Sequence, residues 1–420
     1  MVSSPVVSTH ALHAAIAPAA ALVEERRTLY RLAADLFTPG TELSDNLADH
    51  PIVRYEIGRA LAGHDGPDWA RLARASAMRV RDAGIAVVAD PAAAELLEAP
   101  LRIVAPPGTR PQPLTEADGE RFDLVCSIVA EGVRLFRALA PRMAEDLLAH
   151  VSMLAVLKKE TSGGVVSASS RYVPGIVLID EPSLPMEVAE ALVHEGAHEK
   201  FFDLAITREF LDAAAEEEDC FVNSWSRARW PLEQTFAAWH AYSCLAQFHT
   251  TIGAHQPGPD SLLPKARERA DEIGRWLIEH ETALRADSRW LLRSLFGEAA
   301  GELAGERTAQ VDVRSDVDYV TLCAEIREDG NFRVVPDVRI RRAGTGRAVV
   351  GRATRPPDLF WLDTDASWVA GQLDDVHPTS FGSLLSRASE EWHEPPDLAV
   401  RRLRASIRSL ESSAIIESTP

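Results

Sequence analysis

Two histidines four residues apart, with a glutamate next to the first, are the residues in this chain best suited to chemistry. The stretch LVHEGAHE (192–199) contains the pattern H-E-x-x-H at His194, Glu195 and His198. On a helix, residues four apart lie on one face, so both imidazoles can bind a single ion. Glu195 is rotated by about 100° from His194, which suits a base beside a metal-bound water. The spacing therefore predicts a metal site.

Two histidines do not complete such a site, and a third ligand is expected from a later helix. The segment SWSRARWPLEQTFAAWHAY (224–242) offers Glu233 and His240, which are seven residues apart and share one helical face. Two histidines with one carboxylate form the ligand set that favours non-haem Fe(II) with open positions. Glu233 is therefore the preferred third ligand, and His240 is the alternative.

The same segment contains Arg227 and Arg229 among three tryptophans. A planar guanidinium can donate two parallel hydrogen bonds to a carboxylate. In an acidic protein, this pair is what a cosubstrate that carries a carboxylate would require. We expect Arg227 or Arg229 to bind that cosubstrate, with two solvated surface arginines as the alternative.

Composition limits the partners of the protein. The 420 residues carry a formal net charge of −19, and 46% of them are hydrophobic. Nucleic acid and anionic membrane surfaces would be repelled by such a chain, so neither is an expected partner. The four cysteines are widely spaced and form no CxxC pair, which favours free thiols and a cytoplasmic protein. The oligomeric state is left open.

The apolar periodicity predicts helices and strands in a definite order. Helical spacing occurs over 21–37 and 123–151, and a Pro- and Gly-rich connector lies between them at 98–120. Short apolar runs at 151–159 and 175–180 predict strands on either side of a loop. A long helix is expected to follow, with Ser183 as N-cap and Pro185 in the first turn. This order places a helix beneath a sheet, with a cleft along the sheet edge.

Further elements complete the expected organisation. Helices are predicted over 231–250 and 263–297, and strands with turns at 329–331 and 344–346 follow within 318–350. The tail after residue 380 is predicted to be helical. The chain is thus predicted to be α+β and mainly helical. Its regions are a helical part (1–140), a catalytic core (141–305), and a smaller β-rich part with a helical tail (306–420).

The segments that contain these motifs resemble those of a known family. The runs PGIVLID, EVAEALVHEGAH and SWSRARWPLEQTF are similar to the H-E-x-x-H peptide-modification proteins of ribosomal natural-product clusters. The resemblance covers about 150–250. It implies a zincin-like metal-binding core and iron- and 2-oxoglutarate-dependent β-hydroxylation of a precursor peptide. Onto this motif fall His194, Glu195 and His198, with Arg227 or Arg229 and Glu233 after them. Family members often have a histidine where this chain has Ala237, which leaves His240 open as a ligand.

Three functions remain as alternatives. The first is an Fe(II)/2-oxoglutarate hydroxylase, a dioxygenase in which Glu195 orients a ligand or the substrate. The second is a zinc metallopeptidase that processes a peptide, in which Glu195 is the catalytic base. The third is a non-enzymatic peptide-binding protein whose C-terminal hairpins add a strand to an extended ligand. Alanine at Glu195 should abolish the second activity but not the first.

Overall fold

A computed structural model of the protein gives the conformation of most, but not all, of the chain. The described residues are 18–62, 66–104, 109–164, 166–207, 220–285, 287–289, 291–292, 330–336, 338–342, 346, 348–352, 358–393 and 395–419.

The described part combines long helices with four small sheets, so the protein is a mixed α and β structure. The α-helices are α1 (Ala19–Phe37), α2 (Asp45–Ala48), α3 (Pro51–Ala62), α4 (Trp69–Ser76), α5 (Ala93–Val104), α6 (Glu120–Leu139), α7 (Pro141–Leu148), α8 (Pro185–Thr207), α9 (Leu232–His249), α10 (Leu263–Glu279), α11 (Thr364–Ala370), α12 (Phe381–Trp392) and α13 (Pro396–Ser412). The strands are β1 (Val80–Asp82), β2 (Ala86–Val88), β3 (Met153–Leu157), β4 (Ser167–Ala168), β5 (Ile176–Asp180), β6 (Phe221–Val222), β7 (Arg229–Trp230), β8 (Asn331–Val334), β9 (Val338–Arg342), β10 (Ala348–Arg352), β11 (Asp358–Leu362), β12 (Thr379–Ser380) and β13 (Ile416–Thr419).

The largest sheet has the strand order β1-β2-β3-β5-β4. Strand β3 is parallel to β2 and β5, whereas β4 pairs with β5 in the antiparallel direction and forms one edge. Residues 153–157 are buried throughout, as expected for a strand that is covered on both faces. The strands predicted within 151–159 and 175–180 are therefore confirmed. The intervening segment, predicted to be a loop, contains the short edge strand β4.

Helix α8, which carries the H-E-x-x-H sequence, packs against this sheet. Val188 and Leu192 of α8 belong to the same hydrophobic core as Val177 and Ile179 of β5. Helix α6 approaches α8 closely at Gly132, where an added Cβ would lie 2.5 Å from the Cβ of Val188. The predicted packing of a helix against a sheet is confirmed, whereas the cleft predicted along the sheet edge stays a prediction.

The start of α8 differs in detail from the sequence expectation. The helix begins at Pro185, so Ser183 is one residue too early to be the N-cap. Glu187 instead accepts hydrogen bonds from the backbone N–H groups of Ser183 (2.7 Å) and Leu184 (3.2 Å). A carboxylate at this position accepts hydrogen bonds from N–H groups that precede the helix, and its negative charge interacts favourably with the positive end of the helix dipole.

Two other boundaries differ from the sequence expectation. The helical run predicted over 123–151 is two helices, α6 and α7, because the chain turns at Ala140 and Pro141 begins a new helix. The connector predicted over 98–120 is helical at its start, since α5 extends to Val104. The prolines in and after 93–104 obscure the apolar spacing of this helix in the sequence. The helical stretch predicted over 263–297 differs as well, because α10 ends at Glu279 and a 3-10 turn (Glu281–Ala283) follows it.

The C-terminal residues form a second hydrophobic core. Strands β9, β10 and β11 make one antiparallel sheet, β12, β8 and β13 make another, and helices α11 to α13 pack against them. The turn predicted at 344–346 falls between β9 and β10, which pair in the antiparallel direction from Arg342 with Ala348 onward. The expected helical tail is confirmed. Residues 318–329, with the first predicted strand, and the boundary at 305/306 lie outside the described residues.

The boundary predicted at 140/141 falls between α6 and α7, whose buried side chains share one core with α8 and α9. Among the described helices, none is long and apolar enough to cross a bilayer.

Candidate metal centre

The imidazoles of His194 and His198 converge on one point. Their Nε2 atoms are 3.3 Å apart, and the ring planes meet at 78°. Two nitrogens bound at about 2.0–2.1 Å to one ion lie roughly 2.9–3.4 Å apart for angles between 90° and 109°. The separation in the protein falls in this range. The turn of α8 therefore holds two nitrogen donors as a shared ion requires.

Both rings are held in the form that binds metals. Burial, and then the positive charge of Arg269, lower the pKa of His194 to about 4. Burial also lowers the pKa of His198 to about 4, with a smaller contribution from His194. Each imidazole is consequently neutral at pH 7, and a neutral ring has a lone pair to donate. The chemistry of the donor set thus fits a transition-metal ion.

Glu195 lies between the histidine pair and the edge strand of the sheet. Ser167 Oγ donates to its Oε1 (2.7 Å), and Ser169 Oγ donates to its Oε2 (2.6 Å). Only 3% of Glu195 is exposed, so these serines supply the partners that a buried carboxylate needs. Residues two apart on an extended segment face the same side, which explains how both serines reach one carboxylate. The helix and the edge strand are thereby joined at the site.

Arg269, which no sequence motif indicates, lies close enough to His194 for its charge to lower the pKa of that ring. The guanidinium carbon of Arg269 is 4.7 Å from the ring centre of Trp225 and 5.3 Å from that of Tyr242. Its Nη1 also donates to the Tyr242 hydroxyl (2.8 Å). Tyr242 in turn contacts His194 edge to face, with ring centres 5.5 Å apart. A fixed cation with aromatic walls therefore stands beside the imidazole pair.

The hairpin of β6 and β7 places Trp225 in this position. Asn223, which is fully buried, accepts hydrogen bonds from the N–H (2.7 Å) and hydroxyl (2.8 Å) of Ser226 and donates to the carbonyl of Ala228 (3.2 Å). Arg227 and Arg229 have exposed side chains on this hairpin. The structure thus separates the two arginines predicted to bind the cosubstrate from the buried side of the hairpin, where Trp225 contacts Arg269.

The two candidate third ligands have different surroundings. Glu233, in the first turn of α9, forms an ion pair with Arg171, which follows the serines that contact Glu195. His240 is fully buried, and its Nδ1 lies 2.9 Å from the carbonyl oxygen of Ala197. Burial, and then the charge of Lys200, lower the pKa of His240 to about 3. Within the described part of the chain, no third His, Cys, Asp or Glu side chain joins the histidine pair in a metal-binding group.

The side of α8 that faces away from the two histidines carries ionisable groups that contact partners within the protein. We call Glu199, Lys200 and Asp203 the anchor face, and His194, Glu195 and His198 the site face. Lys200 Nζ contacts both oxygens of Asp146 at 2.6 and 2.7 Å. Glu199 accepts a hydrogen bond from the backbone N–H of Gly175 (2.6 Å). Asp203 contacts His150 Nδ1 (2.5 Å) and the guanidinium of Arg26.

These surroundings shift the two acidic anchor residues in opposite directions. Burial raises the pKa of Glu199 well above its ordinary value. Burial alone would raise the pKa of Asp203, but Arg26, His150 and Arg54 together outweigh it and lower that pKa. Asp203 is therefore held as a charged partner of Arg26.

The sequence contains signals for the site residues that its motifs alone did not single out. Arg269 falls in the buried stripe of α10, three residues after Ala266 and four before Ile273. A charged residue within an apolar stripe is unusual and marks a buried role. The alternation of Ser167 and Ser169 is a weaker signal, because β4 is only two residues long.

Compared with protein-family models and with curated protein sequences, the chain matches none.

Proposed function

We propose that the protein is an Fe(II)- and 2-oxoglutarate-dependent hydroxylase that acts on a side chain of a peptide. The observation that carries this proposal is the fixed guanidinium of Arg269 beside two neutral, converging imidazoles. A guanidinium held there can donate two parallel hydrogen bonds to the second carboxylate of a keto acid. The resemblance of residues 150–250 to the H-E-x-x-H peptide-modification proteins, which implies a zincin-like core, points in the same direction.

In this proposal His194 and His198 hold the iron with Glu233 as the third ligand. We prefer Glu233 to His240 because its ion-pair partner Arg171 follows the serines that contact Glu195. His240 Nδ1 contacts the carbonyl of Ala197, and the pKa of His240 is lowered by burial, by Lys200 on the anchor face and, to a smaller extent, by His198 on the site face. When bound, Fe(II) with 2-oxoglutarate and O₂ supplies the oxidation, in which a C–H group becomes C–OH and the keto acid becomes succinate and CO₂.

In this proposal the arginine that binds the cosubstrate is Arg269 and not Arg227 or Arg229. Its guanidinium binds the distal carboxylate of 2-oxoglutarate, and the rings of Trp225 and Tyr242 fix its plane and exclude water from it. An ion pair in such a partly desolvated position is stronger than one in bulk water. The Tyr242 hydroxyl accepts from Nη1, which leaves the other guanidinium N–H groups to face the ligand.

Glu195 is a positioning residue in this account. Both of its oxygens accept serine hydrogen bonds from the segment of the edge strand, so the carboxylate fixes that strand against the site. Among the described strands, β4 pairs with β5 alone, and an extended peptide can pair with the other side of β4 by strand addition. Glu195 would thereby align the peptide backbone with the metal.

A zinc peptidase is the second candidate, and one observation favours it. Glu195 lies at the position that the base of such enzymes occupies in the motif, next to an edge strand that could carry the peptide. In that case the carboxylate would exchange a serine for the metal-bound water.

The experiment that separates these functions is anaerobic reconstitution with Fe(II), followed by addition of 2-oxoglutarate and O₂. The hydroxylase should form succinate, and faster when a peptide substrate is added. Peptide cleavage by the zinc-loaded protein, without any need for 2-oxoglutarate, would overturn the proposal in favour of the peptidase. The variant R269A should raise the 2-oxoglutarate concentration that succinate formation requires, and R227A, at an exposed arginine of the hairpin, is its matched control.

A further inference from the structure

The exposed face of the β6–β7 hairpin has features that the proposed catalytic site does not use. Val222 lies directly opposite Arg229 in the strand pair, so their side chains share one face. The neighbouring pair, Phe221 and Trp230, faces the other way and packs against the core. The hairpin thus has one face that contacts the core and one that meets solvent. We call the outward set of Val222, Arg227 and Arg229 the outer face.

The outer face combines one apolar side chain with two cationic ones. Val222 is 48% exposed, and the side chains of Arg227 and Arg229 are exposed beside it. Neither arginine side chain forms an ion pair with another described residue. Two such cations close together stand out in a chain whose net charge is −19. They create a local positive potential on an otherwise acidic molecule.

The backbone that presents these arginines is fixed. Arg227 has φ of 60°, in the left-handed region that side chains with a Cβ rarely adopt. The buried side chain of Asn223 imposes this turn. Glu272 of α10 accepts from the N–H (2.9 Å) and hydroxyl (2.7 Å) of Ser224, which ties the tip to the helix that carries Arg269. The outer face therefore belongs to a fixed hairpin whose buried side holds Trp225 beside Arg269, and it keeps a disfavoured conformation at Arg227.

We propose that the outer face binds an acidic segment of the peptide substrate, with carboxylates on Arg227 and Arg229 and an apolar side chain on Val222. The proposal rests on the proposed function only in taking the substrate to be a peptide. Guanidinium groups bind carboxylates with two hydrogen bonds, which adds geometry to charge. Contact at this face would hold the peptide on the hairpin that carries Trp225 and would select peptides with acidic residues.

The test is a binding measurement that needs neither metal nor turnover. The full chain is titrated into fluorescein-labelled GSADEADEAGS, and into the analogue in which each Asp and Glu is Asn or Gln, with fluorescence anisotropy as the readout. The acidic peptide should bind more tightly, and added salt should weaken it. The double variant R227E/R229E should bind it roughly tenfold less tightly, since two exposed ion pairs are lost.

The control variant R134E/R142E alters net charge equally, at exposed arginines on α6 and α7, and should bind as the wild type does. Failure of the acidic peptide to bind, equal binding of both peptides, or equal losses in both charge-reversed variants would overturn the proposal. Loss of acidic binding together with intact binding of Fe(II) and 2-oxoglutarate in R227E/R229E would support it. If the acidic peptide binds but no 2-oxoglutarate turnover exists, the outer face stands and the proposed function fails.

The chain's own acidic run at 216–219 (EEED), outside the described residues, is a competing partner for the two arginines. The measurement is therefore repeated in E216Q/E217Q/E218Q/D219N. The proposal requires that R227E/R229E lose affinity in both backgrounds. Acidic-peptide binding that appears only after this run is neutralised would overturn it.

Discussion

Helix α8 presents two faces that differ in how their polar groups are satisfied. On the anchor face, Lys200 contacts both oxygens of Asp146, and Asp203 contacts Arg26 and His150. On the site face, two neutral imidazoles point at each other, and only Glu195 is held by side chains of the sheet edge. Groups that serve the fold are paired within the protein, whereas nitrogen donors that converge on a point are arranged for a ligand. Substitutions on the two faces should therefore have separable effects.

The largest expected effect is the loss of an anchor-face charge. The change Asp203→Ala removes one of the two carboxylates paired with the buried guanidinium of Arg26, the other being Asp49, and removes the partner of His150. This loss should lower the free energy of unfolding by about 3 kcal/mol. Urea denaturation of the metal-free protein measures it. The variant that is still folded at low temperature should bind Fe(II) as the wild type does. A loss of iron affinity greater than the loss of stability would show that the two faces are not separate.

Removal of the guanidinium beside the site face should give the next largest effect. Arg269→Ala deletes a charged hydrogen-bond donor, for which about 1.5–3 kcal/mol is typical, or roughly a 10- to 100-fold increase in KM for 2-oxoglutarate. Initial rates of succinate formation measure this change. Arg227→Ala is the matched control and should leave the KM for 2-oxoglutarate unaltered. If instead Arg227→Ala raises the KM for 2-oxoglutarate and Arg269→Ala does not, the cosubstrate binds at the hairpin, as the sequence motifs predict.

Lowering the pH should decrease the free energy of unfolding, partly because of the buried side chain of His240. Its pKa is about 3 in the folded protein, against the ordinary histidine value of 6.5 that applies to the unfolded chain. Between these values the unfolded state binds the extra proton, so this contribution to stability is complete above pH 6.5 and is lost as the pH falls toward 3. In His240→Gln, the dependence of the unfolding free energy on pH should be shallower between about pH 6 and 4 by up to about 1.4 kcal/mol per unit. An equal slope in both proteins would contradict this.

The smallest effect is expected at Glu195. Glu195→Gln keeps the size of the side chain and can accept from one serine while its amide faces the other. We expect less than about a tenfold loss of succinate formation, since only one or two hydrogen bonds are weakened. Complete loss of turnover with normal metal content would instead make Glu195 a base and favour the peptidase.

The sequence predicts the parts of this arrangement that depend on local spacing. The apolar runs that form β3 and β5, the helix α8 beneath them and the histidine pair at four-residue spacing all follow from residues close in the chain. Arg269 could not be assigned in the same way, because it lies 75 residues after His194 and reaches it only through the packing of α9 against α10. The serine contacts of Glu195 similarly require the fold of a two-residue edge strand. The anchor face is not apparent in the sequence, because its charges look solvent-exposed until their distant partners are known.

The central claim, that the site face of α8 holds iron together with 2-oxoglutarate, can be measured without knowledge of the peptide. Under anaerobic conditions, Fe(II) and 2-oxoglutarate are added to the protein and the visible charge-transfer absorption of the chelate is followed. The account predicts saturable absorption at one iron per chain in the wild type and in Arg227→Ala. It also predicts that H194A/H198A, with folding unchanged by circular dichroism, gives none. Equal absorption in H194A/H198A and in the wild type would contradict it.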